Sequence, residues 1–128
     1  MTVFPLFSTP LYYNKLEFDL KHIMDSIKEL EYEFCGNGYS SKIQSILNSF
    51  PNIKNLVEHE LKIFLRDELK IGDELCIKHT SSWVMKHIKG SFSQAHIHSN
   101  SMYSGVLYLQ TDEDSGDIEF SIPSMIPT

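Results

Sequence analysis

Two stretches in the first half of the chain carry apolar residues at the spacing of an amphipathic helix. The first predicts a helix that begins after Asp19 as its N-cap and is stopped by Gly36 or Gly38. A second helix is expected after Pro51, with Gly72 as its C-terminal stop. The apolar positions on the two predicted faces are Leu20, Ile23, Met24, Ile27 and Leu30, and then Ile53, Val57, Leu61, Phe64 and Leu65.

Most of the remaining pattern is typical of strands. Two short apolar runs near the N-terminus, residues 3–7 and 11–13, contain or follow prolines and suit edge strands, because proline has no N–H for the ladder. A short helix that Ser40 or Ser41 opens is expected to run to Leu47. In the second half of the chain the period changes to strand-like alternation, with turn-forming residues between the runs. The predicted strands are residues 82–87, 92–98, 103–110 and 118–122.

Helices followed by an antiparallel β meander predict the α+β class. The length of 128 residues suits a single domain over residues 1–128. The net charge of −6 argues against a nucleic-acid-binding surface, which needs clustered positive charge. The two cysteines, Cys35 and Cys76, do not form a disulfide framework, and no apolar run approaches the ~20 residues of a membrane span. A cytoplasmic location is therefore the expectation.

His96 and His98 stand out as candidate metal ligands. In a strand, residues i and i+2 point to the same face, so the two imidazoles would project side by side while Ile97 points away. Imidazole nitrogens so placed suit iron, copper, nickel or zinc. Because a single strand histidine is more often an ordinary polar residue, the metal prediction depends on the pair.

Several short motifs follow one another in the second half of the chain. They are Ser82-Trp83-Val84, Lys89-Gly90, His96-Ile97-His98, Ser104–Leu109 and Ser115–Phe120. In this order and spacing they resemble a group of Fe(II)/2-oxoglutarate oxygenases from phages and bacteria, and the N-terminal Phe4–Leu11 also looks like that family's opening. The resemblance implies a partial double-stranded β-helix, a jelly roll related to the cupins.

The resemblance also implies cofactors and residue roles. Fe(II) would be the metal and 2-oxoglutarate the cosubstrate for hydroxylation of an unknown small molecule or protein. His96 matches the first iron ligand, His98 stands where better-known oxygenases have an acidic ligand, and Tyr108 is the expected contact to 2-oxoglutarate. The family's distal His and carboxylate-binding Arg would follow on later strands, whereas no histidine follows His98 and the only arginine is Arg66.

The expectation is therefore that the chain is the N-terminal portion of an oxygenase domain and that it binds iron weakly when alone. Strand edges left without partners would invite pairing with another copy, which predicts a homo-oligomer. A chain of this kind would hold half of the metal site.

Three alternatives stay open at this point. A cupin-type metal protein would share the Gly90 to His98 spacing, although cupins then want a glutamate where Met102 and Tyr103 stand. A barrel-derived interaction module without catalysis would fit the missing distal ligands. A structural zinc site would use Cys76 and His79 together with the histidine pair.

Overall fold

The computed structural model describes residues 8–121, which contain two α-helices and a three-stranded antiparallel sheet. The α+β class is thereby confirmed. The strand expected at residues 3–7 and the last residue of the strand 118–122 lie outside the described range. Within that range the chain forms two compact units, one of residues 8–18 with 50–77 and the other of residues 19–49 with 78–121. A single domain over 1–128 stays a prediction.

The first unit is built on helix α2, Pro51–Lys62, which continues as a π-helical segment, Ile63–Glu68. Pro51 occupies the first helical turn, where its fixed φ favours the helix and its missing N–H costs nothing. Ile53 and Leu65 are the buried apolar side chains, so the predicted second helix and its core face are confirmed here. No helix within residues 8–121 is long and apolar enough to cross a bilayer.

The end of this helix differs from the prediction, which placed the stop at Gly72. The Leu69 N–H bonds to the Phe64 carbonyl at 3.0 Å, and Lys70 then takes a left-handed backbone conformation with φ 57°. A residue in that region closes a helix C-terminus in the way that glycine usually does. The Arg66 guanidinium donates to the Ile71 carbonyl at 2.9 Å and holds the chain that leaves the helix.

A carboxylate on α2 fixes the N-terminal segment of the first unit. Glu60 accepts from the Tyr12 hydroxyl and from the Asn14 amide, both at 2.7 Å, and the Tyr12 ring packs 5.4 Å from that of Phe64. The bonds from Asn14 and Tyr12 lower the pKa of Glu60, and the bond to Glu60 raises the pKa of Tyr12. The prediction of a strand at residues 11–13 is wrong. Side-chain hydrogen bonds, and not a β ladder, attach this segment to α2.

The second unit begins with helix α1, Leu20–Lys28. Its N-cap is Asp19, whose Oδ1 accepts from the His22 N–H at 3.0 Å, as the sequence predicts. Ile23 and Ile27 are buried, which confirms the predicted apolar face. The helix ends well before Gly36.

A hairpin that the sequence reasoning missed follows α1. Strands β1, Tyr32–Phe34, and β2, Tyr39–Ser41, pair antiparallel, and β3, Met85–Lys86, pairs with β2. The turn places Gly36 at φ 86° and Gly38 at φ 140°, where a Cβ on Gly38 would also collide with the Lys86 carbonyl. The sequence signal for this hairpin is a glycine on each side of Asn37, between aromatic residues, because glycine and asparagine favour the tight turns of hairpins.

The short helix expected from Ser40 or Ser41 through Leu47 is wrong, because both serines lie in or beside the β2 ladder. A 3₁₀ helix, Ile46–Ser49, follows instead and buries Ile46. The hydroxyl of Ser41, which suggested a helix start, instead bonds to backbone outside the hairpin. Ser41 is fully buried and its hydroxyl donates to the Ile43 carbonyl at 3.0 Å.

Most of the predicted β meander is absent from the described residues. Of residues 82–87 only β3 is a strand, with an isolated parallel bridge between Ser82 and Ser45, and residues 92–98, 103–110 and 118–121 form no strand. Strand propensity is realised only when a neighbouring strand supplies ladder bonds and a packed face. The hydrogen bonds of the turns here are local instead, such as Ser101 N–H to the His98 carbonyl at 3.1 Å.

Candidate metal centre

Near the candidate site, backbone hydrogen bonds attach the chain on both sides of Trp83. The Ser82 N–H donates to the Gln44 carbonyl, and the Ser82 carbonyl accepts from the Ile46 N–H, each at 3.0 Å. Two residues further on, the Ser41 N–H donates to the Val84 carbonyl at 2.9 Å. The backbone is therefore attached on both sides of Trp83, which limits where its indole can lie.

His96 and His98 lie in irregular chain and not on the predicted strand, but their side chains still come together. The ring centroids are 5.0 Å apart and the planes are inclined at 85°, an edge-to-face arrangement. Both residues are exposed. The adjacency that the i, i+2 spacing predicted is therefore present, although a turn bond from Ser101 to His98 holds the segment where a ladder was expected.

One ring nitrogen of His96 is hydrogen-bonded to the backbone. Its Nδ1 lies 2.7 Å from the Gln94 carbonyl oxygen. A carbonyl only accepts, so Nδ1 carries the proton in this bond, and in the neutral imidazole Nε2 keeps its lone pair. Metal-ligating histidines usually donate their other ring N–H to such a carbonyl, which fixes both tautomer and ring orientation.

The spacing of the two rings can be compared with that of two imidazoles on one ion. With a metal–nitrogen distance of about 2.1 Å and a ring nitrogen about 1.2 Å from its centroid, centroids lie about 4.7 Å apart at a 90° angle and about 5.4 Å at 109°. The observed 5.0 Å falls between these values. The separation of the two ring centroids is therefore within the range for two imidazoles on one metal ion.

Trp83 is the neighbour of this pair. Its ring centroid lies 5.4 Å from that of His98, with the planes inclined at 58°. Aromatic rings at such distances and tilts attract one another beyond simple burial. Trp83 belongs to one of the motifs that carry the family resemblance, but no role could be predicted for it. Nothing in the sequence shows that residues 83 and 98 meet.

The rest of the predicted site is less complete. Within residues 8–121 no three His, Cys, Asp or Glu side chains gather as a metal-binding group, so the zinc alternative with Cys76 and His79 gains no support. The His87 Nδ1 is hydrogen-bonded to the Asn37 carbonyl at 2.9 Å. Tyr108 lies exposed.

The described residues do not supply a fit for 2-oxoglutarate. Its far carboxylate needs a cationic partner, and arginine is the side chain best suited to it. Arg66 is the only arginine, and its guanidinium pairs with Asp73 at 2.9 Å and donates to the Leu75 carbonyl at 2.8 Å. The Arg66 guanidinium is therefore already engaged and does not serve as the partner of the 2-oxoglutarate carboxylate.

Comparison with known protein families gives a match in the second half of the chain. Residues 81–126 match the model of the family described as "Putative 2OG-Fe(II) oxygenase". The segment includes Trp83, His96, His98 and Tyr108, so the resemblance predicted from the motifs is confirmed over this part of the chain. No curated protein and no solved structure matches the chain.

Proposed function

We propose that this chain carries the metal-binding pair of an Fe(II)/2-oxoglutarate-dependent oxygenase, with His96 and His98 as ligands. The arrangement of the two rings carries the proposal: centroids 5.0 Å apart and the His96 Nδ1 bonded to the Gln94 carbonyl, within the segment that matches the family. In such enzymes bound iron with 2-oxoglutarate supplies the oxidation of a C–H bond. The chain's own part is to hold the ion in a fixed orientation.

The exposure of both histidines sets the expected strength of binding. Two imidazoles leave most coordination positions to water, so the chain alone should bind Fe(II) weakly. Among residues 8–121 no third His, Cys, Asp or Glu side chain joins the pair in a metal-binding group. Tyr108, within the matched segment, is the residue we propose for contact with 2-oxoglutarate.

The test of the metal pair is an anaerobic titration of tag-free protein with Fe(II) or Co(II). We expect His96→Ala and His98→Ala each to weaken binding by at least about tenfold, because loss of one nitrogen removes the chelate. His59→Ala, an exposed histidine on α2, is the matched control and should bind as the wild type does. Binding that is equally tight in His96→Ala would refute the assignment.

Formation of succinate from 2-oxoglutarate separates the oxygenase from its alternatives. Succinate that accumulates with Fe(II) in the wild type but not in His96→Ala would support the enzyme. Metal binding without succinate would favour a cupin-type metal protein or a non-catalytic module, since neither needs 2-oxoglutarate. The family match, together with Met102 and Tyr103 where a cupin needs glutamate, makes the oxygenase our first choice.

We further propose that the chain self-associates through its C-terminal half. Large apolar side chains are exposed there, with Ile97 80% and Val106 65% accessible, on backbone that forms no ladder between residues 92 and 121. Such unpaired strand-forming segments favour pairing with a second copy. Sedimentation should show dimers or larger species at high concentration, and fewer of them in Val106→Lys than in the control Ser104→Lys. A wild type that sediments only as a monomer would contradict this.

A further inference from the structure

We infer that Trp83 is a positioning residue for the metal pair: its indole packs on the His98 ring and sets that ring beside His96. The inference deepens the proposed function and rests on it. The three rings form a series in which Trp83 lies 5.4 Å from His98 and His98 lies 5.0 Å from His96. His98 is thus the middle ring of the series and is in contact with both of the others.

The two histidines differ in what fixes them. The His96 ring is oriented by its own hydrogen bond to the Gln94 carbonyl two residues earlier. The His98 ring instead contacts two aromatic rings, those of His96 and Trp83. An exposed imidazole without a fixed neighbour rotates freely, and ordering it on metal binding costs rotamer entropy. An indole packed beside the imidazole removes part of that cost in advance, which is preorganisation.

Trp83 can serve as a fixed neighbour because its own backbone is attached. The bonds of Ser82 to Gln44 and Ile46 lie before it, and the bonds between Ser41 and Val84 lie after it. A second attachment supports the same segment, since the Thr80 Oγ1 lies 3.2 Å from the Ser101 Oγ in the turn that follows His98. The histidine segment is therefore held against residues 80–84 at two points, one polar and one aromatic.

The contact also gives a spectroscopic signal, because Trp83 is the only tryptophan of the chain. Paramagnetic Co(II) on the pair would lie close to the indole and quench its fluorescence. We expect quenching in the wild type and its loss in His96→Ala, whereas a tryptophan remote from the metal would stay bright. Quenching that is the same in both proteins would place the ion elsewhere and overturn the inference.

The decisive experiment is a Co(II) titration of Trp83→Ala, Trp83→Leu and Trp83→Phe by calorimetry. We expect Trp83→Ala and Trp83→Leu to bind Co(II) about tenfold more weakly, which is the low end of the effect of losing a group that orients a metal ligand. Trp83→Phe should bind nearly as the wild type does, because it keeps an aromatic ring. Phe92→Ala removes an exposed aromatic ring nearby in sequence and is the control. The leucine variant keeps apolar volume, so it answers the question if alanine fails to fold.

Nuclear magnetic resonance of the metal-free protein gives a readout that general stability does not move. Loss of the indole ring current in Trp83→Leu should shift the His98 ring protons, and the His59 ring protons should stay in place. A wild type that binds no Co(II) overturns the metal pair and the role of Trp83 together. A wild type that binds through His96 and His98, with Trp83→Leu binding equally tightly, overturns the role of Trp83 alone.

Discussion

Replacing Leu65 with alanine is expected to lower the free energy of unfolding by about 3 kcal/mol, the middle of the range for a buried leucine. Leu65 is 2% exposed and lies in the π-helical segment that continues α2. Removing its side chain loses the transfer free energy of the buried carbons and leaves a cavity that close-packed neighbours fill only in part. The loss is large against the 5–15 kcal/mol that holds a typical domain folded.

Leu11→Ala makes the same chemical change at a side chain that is 69% exposed. Its effect should stay within about 0.5 kcal/mol, as for surface substitutions in general. Urea denaturation followed by circular dichroism at 222 nm would compare the two variants with the wild type. Equal midpoints for Leu65→Ala and Leu11→Ala would show that the first unit is not packed around Leu65.

The helices could be predicted because their signals are local. Asp19 caps α1 and Pro51 opens α2 by interactions within one turn, and the apolar spacing selects the faces that bury Ile27 and Leu65. The strands could not be placed in the same way. Residues 103–110 are rich in strand-forming side chains, but a strand also needs a partner, and the identity of that partner is not encoded nearby.

The candidate site was predictable in part for a similar reason. The rings of His96 and His98 come together although residues 92–98 form no strand, because two positions so close in the sequence need no distant partner to meet. The contact of Trp83 with His98 joins positions that lie in separate motifs. The attachment of residue 84 to Ser41 spans an even longer separation along the chain. Neither has a periodic signal in the sequence.

Ser41 links the hairpin to the backbone next to Trp83. We expect Ser41→Ala to lower the free energy of unfolding by about 2 kcal/mol, which lies within the usual cost of leaving a buried polar group without a partner. The residue is fully buried. Its Oγ accepts from the Val84 N–H and donates to the Ile43 carbonyl, each at 3.0 Å. In Ser41→Ala both groups lose this partner where water has little access, while the backbone bond from Ser41 to Val84 remains.

The consequence should reach the metal pair, because residue 84 fixes one side of Trp83. We expect Ser41→Ala to bind Co(II) several-fold more weakly than the wild type, since loosening a supporting residue costs up to about 10–100-fold in metal affinity. Ser40→Ala, whose hydroxyl makes only a 3.4 Å contact to the Ser41 carbonyl, is the matched control and should change neither stability nor affinity appreciably. Urea denaturation gives the first quantity and calorimetry the second. If Ser41→Ala loses stability but keeps wild-type affinity, the backbone at residue 84 does not govern the position of Trp83, and the indole must be held by its contact with His98 itself.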